Sequence, residues 1–308
     1  MKHTGHPCPC SEEALLQLIQ RQLPPPALDV VKGIGDDCAV IRSTAKTGIL
    51  HLLKTDALVE EIHYRRGTSM ELVGWKALCR PVSDIAAMGG TPLHAVITVA
   101  APATWKNSEW ISLYRGFGKA ARAYGISVVG GETVKSPGAV FISVALTGKV
   151  KKKNLRLRSG ARPGDMICVT GKLGGSFKSG RHLRFKPRLH EAQWMAEQRG
   201  VTSIMDLSDG LGSDLPKLAL ASACSFKINQ ESLPLHRGCS IRDAISNGED
   251  YELLVTVAPQ LFPSLQSQWS RTFRGLRLTS IGVMLPSTTP SALLPLGHDH
   301  LASVKRTG

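Results

Sequence analysis

Six acidic motifs stand at the ends of short apolar or helical runs along this 308-residue chain, and that recurrence narrows the folds open to it. Glycine lets backbone approach a ligand closely, and a carboxylate beside it offers oxygen to a hard cation. The motifs are Gly33-Ile34-Gly35-Asp36-Asp37; Lys54-Thr55-Asp56, followed by Glu60, Glu61 and His63; Ser83-Asp84; Gly130-Gly131-Glu132-Thr133; Asp206-Leu207-Ser208-Asp209-Gly210, with Asp214 behind; and Asn247-Gly248-Glu249-Asp250-Tyr251-Glu252. Singly, each also reads as a turn, a helix cap or a buried salt bridge. Together they point to several Mg²⁺ ions bound with phosphate oxygens, because acids can face a phosphate chain only across intervening cations. The chain has no P-loop, no G-x-G-x-x-G after a strand, no H-E-x-x-H and no EF-hand loop.

The hydrophobic pattern supplies a mixed α/β (α+β) scaffold. Ala39 to Ile41, Ile49 to Leu53 and Val96 to Val99 read as strands of one sheet, and Ile126 to Val129 and Val140 to Leu146 as buried strands. A leading helix is expected over Glu12 to Gln22, a helical region over Met70 to Met88 broken near Pro81, and a helix over Trp110 to Tyr124. This first domain closes near Gly148. A second α/β unit begins at Gly164-Asp165, with strands at Met166 to Thr170, Tyr251 to Val257 and Leu278 to Val283, and helices over His190 to Arg199 and up to Ala223.

The totals exclude several classes. No stretch is long and apolar enough to span a bilayer, and the start lacks the apolar core of a signal peptide, so the cytoplasm is the expected compartment. Seven cysteines, an odd number, fit a reducing compartment rather than a disulfide framework. Cys8 and Cys10 beside His3 and His6 lack a second ligand pair downstream and read as a frayed terminus rather than a metal site. The net charge of +14 is dispersed apart from Lys151, Lys152 and Lys153 beside Arg156 and Arg158. That run has no interleaved aromatics for base stacking, so it reads as a solvated loop or a phosphate-attracting one, and nucleic acid is not the expected partner.

In their order, the segments GIGDDCAVI, TDALVEEIHY, SDIAAMGGTP, GISVVGGET, RSGARPGDMICVTGKLGGS, MDLSDGLGSDL and NGEDYELL resemble the thiamine-monophosphate kinases, from about Gly33 to Gly282. That family belongs to a wider group with aminoimidazole ribonucleotide synthetase, selenophosphate synthetase and a hydrogenase maturation factor. The resemblance implies a two-domain aminoimidazole ribonucleotide synthetase-like fold. Residues 1–150 would form a nucleotide- and magnesium-binding domain that pairs with its twin in a homodimer, and residues 151–308 a C-terminal α/β domain completing the cleft. Matched motif to motif, Asp36, Thr55, Asp56, Asp84, Glu132, Asp206 and Asp209 become the expected magnesium ligands, with Asp37 a secondary one. Gly131, Arg158 and Ser208 are expected to contact ATP, and His63, Glu249 and His298 thiamine monophosphate. The implied reaction is in-line attack by a substrate phosphate oxygen on the γ-phosphorus of ATP, with no protein general base.

The chain departs from the family pattern at Lys54, where a small hydroxylated residue is usual, at Glu61 in place of glycine, at Glu132 in place of aspartate, and at His298 in place of an aromatic residue. The segment SFKSGRHLRFKPR after Gly175 is also shorter than the usual helical stretch. Lys54 cannot bind Mg²⁺ while protonated, so fewer metal ions than usual are expected. The departures leave two alternatives: another ATP-dependent enzyme of the group acting on a different small phosphate, or a catalytically impaired nucleotide-binding regulator.

Overall fold

The computed structural model describes residues 15–16, 19–43, 47–291, 294–295 and 297. Two sheets organise them. The first holds β1 (Val30–Lys32), β2 (Ala39–Arg42), β3 (Ile49–Val59), β4 (Thr91–Pro102), β5 (Ser127–Ser136) and β6 (Phe141–Lys151), in the order β1-β2-β3-β6-β4-β5. All its pairings are antiparallel except β4 with β5. The second holds β7 (Met166–Thr170), β8 (Val201–Asp206), β9 (Cys224–Ile228), β10 (Leu253–Val257) and β11 (Leu278–Pro286), in the antiparallel order β8-β10-β7-β11-β9. The helices are α1 (Met70–Ala87), α2 (Asn107–Tyr124), α3 (Ser176–Ser179), α4 (Leu189–Glu197), α5 (Leu211–Ala221), α6 (Ile241–Ser246) and α7 (Phe262–Thr272).

Strict alternation decides which face of the first sheet is covered. Leu50, Leu52 and Leu58 on β3 are buried on the same face as Ile142, Val144 and Leu146 on β6, and α1 packs over them. The helix α1 serves both halves. Its Val73, Ala77 and Val82 join the core of the first sheet, while Ala86 and Ala87 pack with Ala192, Met195 and Ala196 of α4 and with β8 and β10. With neighbours on both sides, thirteen of its eighteen residues are buried, which matches a helix apolar on nearly all faces. Trp75 Nε1 donates to the Phe185 carbonyl at 2.8 Å, tying α1 to the chain after α3.

Several expectations change here. The helix α1 runs unbroken through Pro81, because packing on both sides outweighs the lost backbone hydrogen bond. Strand β5 is not buried. It is an edge strand exposed along nearly its whole length, with Val129 62% exposed, because no element among the described residues covers its apolar side chains. The expected leading helix falls partly outside the described residues; positions 15, 16, 19 and 20 are helical. Cys8, Cys10, His3 and His6 also lie outside them.

The helices α1 and α2 approach through glycine. A Cβ on Gly116 would lie 2.1 Å from the Glu71 carbonyl oxygen, and one on Gly74 2.2 Å from that of Leu113. Glycine to alanine inside a helix ordinarily stabilises by about 1 kcal/mol. Here backbone lies in the way, so Gly116→Ala is expected to reverse that sign and destabilise by about 1–3 kcal/mol, as read by denaturant unfolding.

Candidate active site

The acidic motifs converge from both halves. Asp37 lies in the turn between β1 and β2, Asp84 near the end of α1, and Asp206 at the end of β8. All three are buried, and each offers a carboxylate oxygen within 4.8 Å of the others. Ser83 Oγ donates to Asp206 Oδ2 at 2.7 Å, and Lys54 Nζ to Asp84 Oδ1 at 2.8 Å. Arg158 Nη2 meets Asp37 Oδ1 at 2.5 Å, while the Arg158 amide donates to the Asp36 carboxylate at 3.3 Å. Asp56 shares the inner face of β3 with Lys54, with Arg80 Nη2 3.7 Å away.

Crowding buried carboxylates raises their affinity for protons or other cations. Burial first, and Asp37 next, push Asp206 up to about 7. Burial, with Asp56, Asp206 and Asp37 adding and Lys54 opposing, lifts Asp84 well above the carboxylate range. Asp36 rises to about 6 by burial and the Asp37 charge. The Oδ2 atoms of Asp37 and Asp56 are buried without a hydrogen-bond partner. An all-oxygen donor set with orphaned, mutually repelling carboxylates fits a hard divalent cation such as Mg²⁺.

Beside the cluster opens a cavity of about 390 Å³ whose lining includes His63, Arg80, Ser208, Asp209, Glu249 and Tyr251. Four of the sequence-derived candidates, His63, Ser208, Asp209 and Glu249, thus meet on one wall system. Behind it, fully buried Lys76 donates to the His63 carbonyl (2.6 Å) and to Glu249 Oε2 (2.5 Å), and lies 2.8 Å from His182 Nδ1. Burial pulls the Glu249 carboxyl up, but His182, Lys76 and Arg80 outweigh it and bring it down to about 2. His63 Nδ1 accepts from the Val59 amide at 2.9 Å, which sets the ring orientation. Glu249 and Tyr251 hold φ of 66° and 51°, a left-handed backbone that non-glycine residues enter at a cost of about 1–3 kcal/mol, typical of functional loops.

On the cavity wall, Asp209 is bound by Lys217 Nζ at 2.6 Å, and its amide donates to Asp214. Other candidates lie elsewhere. Thr55 faces the outer side of the first sheet, its Oγ1 3.4 Å from Ser143 Oγ, because alternation sends it opposite to Lys54 and Asp56. Glu132 is exposed on edge strand β5, in register with Thr98. Gly131 lies next to it, where a Cβ would lie 1.9 Å from the Ile97 carbonyl oxygen. These three are not brought to the buried carboxylate trio within one chain. His298 is outside the described residues.

Sequence reasoning passed over Lys76, Arg80, His182 and Phe177. The first two had a signal: with Asp84 they form an i, i+4, i+8 line of charge on an otherwise apolar helix. Phe177 of α3, which lines the cavity, and His182, stacked on it at 4.5 Å and 2.8 Å from Glu249 Oε2, had none, since only the path of the chain from α3 onward places them there.

Comparison with known proteins agrees with this architecture. Residues 35–150 match the family described as AIR synthase related protein, N-terminal domain, and the chain has the AIR synthase-like fold. Thiamine-monophosphate kinase from Bacillus subtilis (strain 168) is 31% identical, over 85% of this chain and 88% of that one. The enzyme of the same name from Rhodopirellula baltica is 34% identical, over 87% and 86% respectively. Among solved structures, AaThiL complexed with AMPPCP and TMP superposes with a TM-score of 0.82 at 30% identity, covering 97% of this chain and 100% of that one. The chain belongs to the thiamine-monophosphate kinase family.

The carboxylate cluster has a measurable consequence. Between the unfolded value of 3.8 and about 7, the folded chain keeps a proton on Asp206 that the unfolded chain has released. Its contribution to stability therefore falls as pH rises through that window. In EDTA, thermal unfolding is expected to show a lower Tm at pH 8 than at pH 5.5, with a shallower slope in Asp206→Asn and recovery on adding Mg²⁺.

Proposed function

We propose that this chain transfers the γ-phosphoryl group of ATP to the phosphate of thiamine monophosphate, giving thiamine diphosphate and ADP. The observation that carries the reading is the meeting of His63, Ser208, Asp209 and Glu249 on one cavity beside the Asp37, Asp84 and Asp206 carboxylates, in a chain of this family. The cavity suits the substrate's chemistry. Phe177 and Tyr251 offer aromatic faces for flat heterocycles, and Glu249, ionised down to about pH 2, offers negative charge to a thiazolium cation. Arg80, held by the Ala57 carbonyl at 2.6 Å, offers a guanidinium to the phosphate.

The proposed magnesium ligands are Asp36, Asp56, Asp84, Asp206 and Asp209, with Asp37 assisting. Mg²⁺ held by these residues would supply positive charge to the phosphates and offset the charge developing in transfer. Gly131, Arg158 and Ser208 are assigned to ATP, and His63, Glu249 and His298 to thiamine monophosphate. The attacking phosphate oxygen is already anionic, so the protein's part is to position it and to exclude water rather than to remove a proton.

We further propose a boundary near residue 150, between the two sheets, and a homodimer formed through the outer face of the first. Leu53, Val96, Val134 and Phe141 are each about 40% exposed or more on that face, an apolar surface suited to a second copy. Such pairing would enclose Thr55, Gly131 and Glu132. No helix among the described residues is long and apolar enough to cross a membrane, and the five described cysteines are free, which supports the proposed cytoplasmic location.

Incubation with ATP, thiamine monophosphate and Mg²⁺ is expected to yield thiamine diphosphate and ADP one to one, and nothing without divalent metal. Asp206→Asn and Asp84→Asn should each fold yet lose more than the roughly 10–100-fold that an outer-shell change costs a metal site. ATP binding with no product would instead favour another small phosphate or a regulatory role. For the assembly, sedimentation is expected to show a dimer that Val129→Glu combined with Phe141→Glu converts to monomer.

A further inference from the structure

Lys54 occupies a position in the acidic cluster that calls for a cation. It projects from the inner face of β3, its Nζ donates to Asp84 Oδ1 at 2.8 Å, and its side chain and that of Asp84 are only 23% and 10% exposed. Asp56 and then Asp84 dominate its electrostatic surroundings, and its charge reaches Asp206 as well. Around it, the carboxylates of Asp36, Asp37, Asp56, Asp84 and Asp206 meet the side-chain cations of Lys54, Arg80 and Arg158. Arg158 answers Asp37, Arg80 answers Asp56 and Lys54 answers Asp84, and of these acids Asp37 and Asp84 belong to the trio within 4.8 Å.

We infer that the Lys54 ammonium is a resident cation of this cluster, holding on Asp84 a position that a divalent ion would otherwise take, so that the chain binds fewer divalent ions than its carboxylates could support. The inference rests on the metal-binding reading of the site given above. An ammonium and Mg²⁺ both neutralise carboxylates, but they differ in ways that matter here. The ammonium brings one charge and no octahedral shell, and its four-carbon stem anchors it, so no chelator removes it. It also carries three N–H donors, and those beyond the Asp84 bond can meet a phosphate oxygen directly. The cluster is therefore partly neutralised before any metal arrives, and that charge persists between turnovers.

The test is a Mn²⁺ titration of the full chain without nucleotide, with free Mn²⁺ read by electron paramagnetic resonance. Lys54→Ser is expected to bind one more Mn²⁺ per chain than wild type, and Lys54→Arg the same number as wild type. In EDTA at pH 8, Lys54→Ser should melt roughly 5–10 °C below wild type, with saturating Mn²⁺ closing the gap. An equal Mn²⁺ count in wild type and Lys54→Ser overturns the inference whatever the melting temperatures, because a purely structural ion pair lowers Tm without altering the count. An unchanged Tm in EDTA overturns it as well. Should Lys54→Ser not fold without metal, Lys54→Gln, which keeps a longer stem without the charge, carries the same comparison. The count needs no substrate and the kinase assay needs no Lys54 variant, so the failure of either idea is read separately.

Discussion

Mutual repulsion among buried carboxylates is the constraint around which this molecule is arranged. Asp37, Asp84 and Asp206 come from three different elements, one of them in the second sheet, and their oxygens gather within 4.8 Å in a buried setting. An uncompensated charge in such a place is expensive, and several together more so. The fold answers with fixed cations, each delivered from a separate segment: Lys54 from β3, Arg80 from α1, and Arg158 from the short turn that begins the second half. Arg158 also stitches the halves together, its guanidinium pairing with Asp37 and its backbone amide donating to Asp36 across the junction. What remains unneutralised is negative charge of a kind that suits a hard divalent cation.

The helix α1 makes this arrangement possible. It is buried by both sheets, so its backbone is positioned by packing rather than by its own propensity, and even Pro81 fits within it. On that element, Lys76, Arg80 and Asp84 stand on successive turns, one behind the cavity, one in its wall and one in the acidic cluster. The close α1 to α2 approach at Gly74 and Gly116 fixes the helix from behind. Packing and chemistry are thereby joined, because a shift of α1 would move all three side chains together.

The opposite wall is under strain. Glu249 and Tyr251 adopt left-handed backbone, and Glu249 is then held by Lys76 and His182 while Tyr251 stacks on Phe185 at 3.7 Å. Conformations of this cost persist only where surrounding contacts over-determine them. The buried ion pair and the ring stack supply those contacts, and they present the Glu249 carboxylate, rather than a relaxed loop, to the cavity.

Local sequence was informative wherever a residue's role depends on its immediate neighbours. Alternation and glycine placement marked most of the strands and the turns between them, and acids at element ends were recognisable in Asp36, Asp84 and Asp206 because a carboxylate inside an apolar context is conspicuous on its own. The same one-dimensional signal misread Pro81 and β5. Whether a helix survives a proline, and whether a strand is covered, depends on what packs against it from elsewhere in the chain. Thr55 and Lys54 are adjacent in sequence yet face opposite sides of the sheet, and His182 reaches Glu249 only through the path of a short segment. The amino-acid sequence by itself determined that carboxylates would stand at the ends of secondary elements, because that depends only on their immediate neighbours. Only the tertiary structure decided which of them share a cavity, because distances between residues far apart in the chain are set by packing of the two sheets on α1.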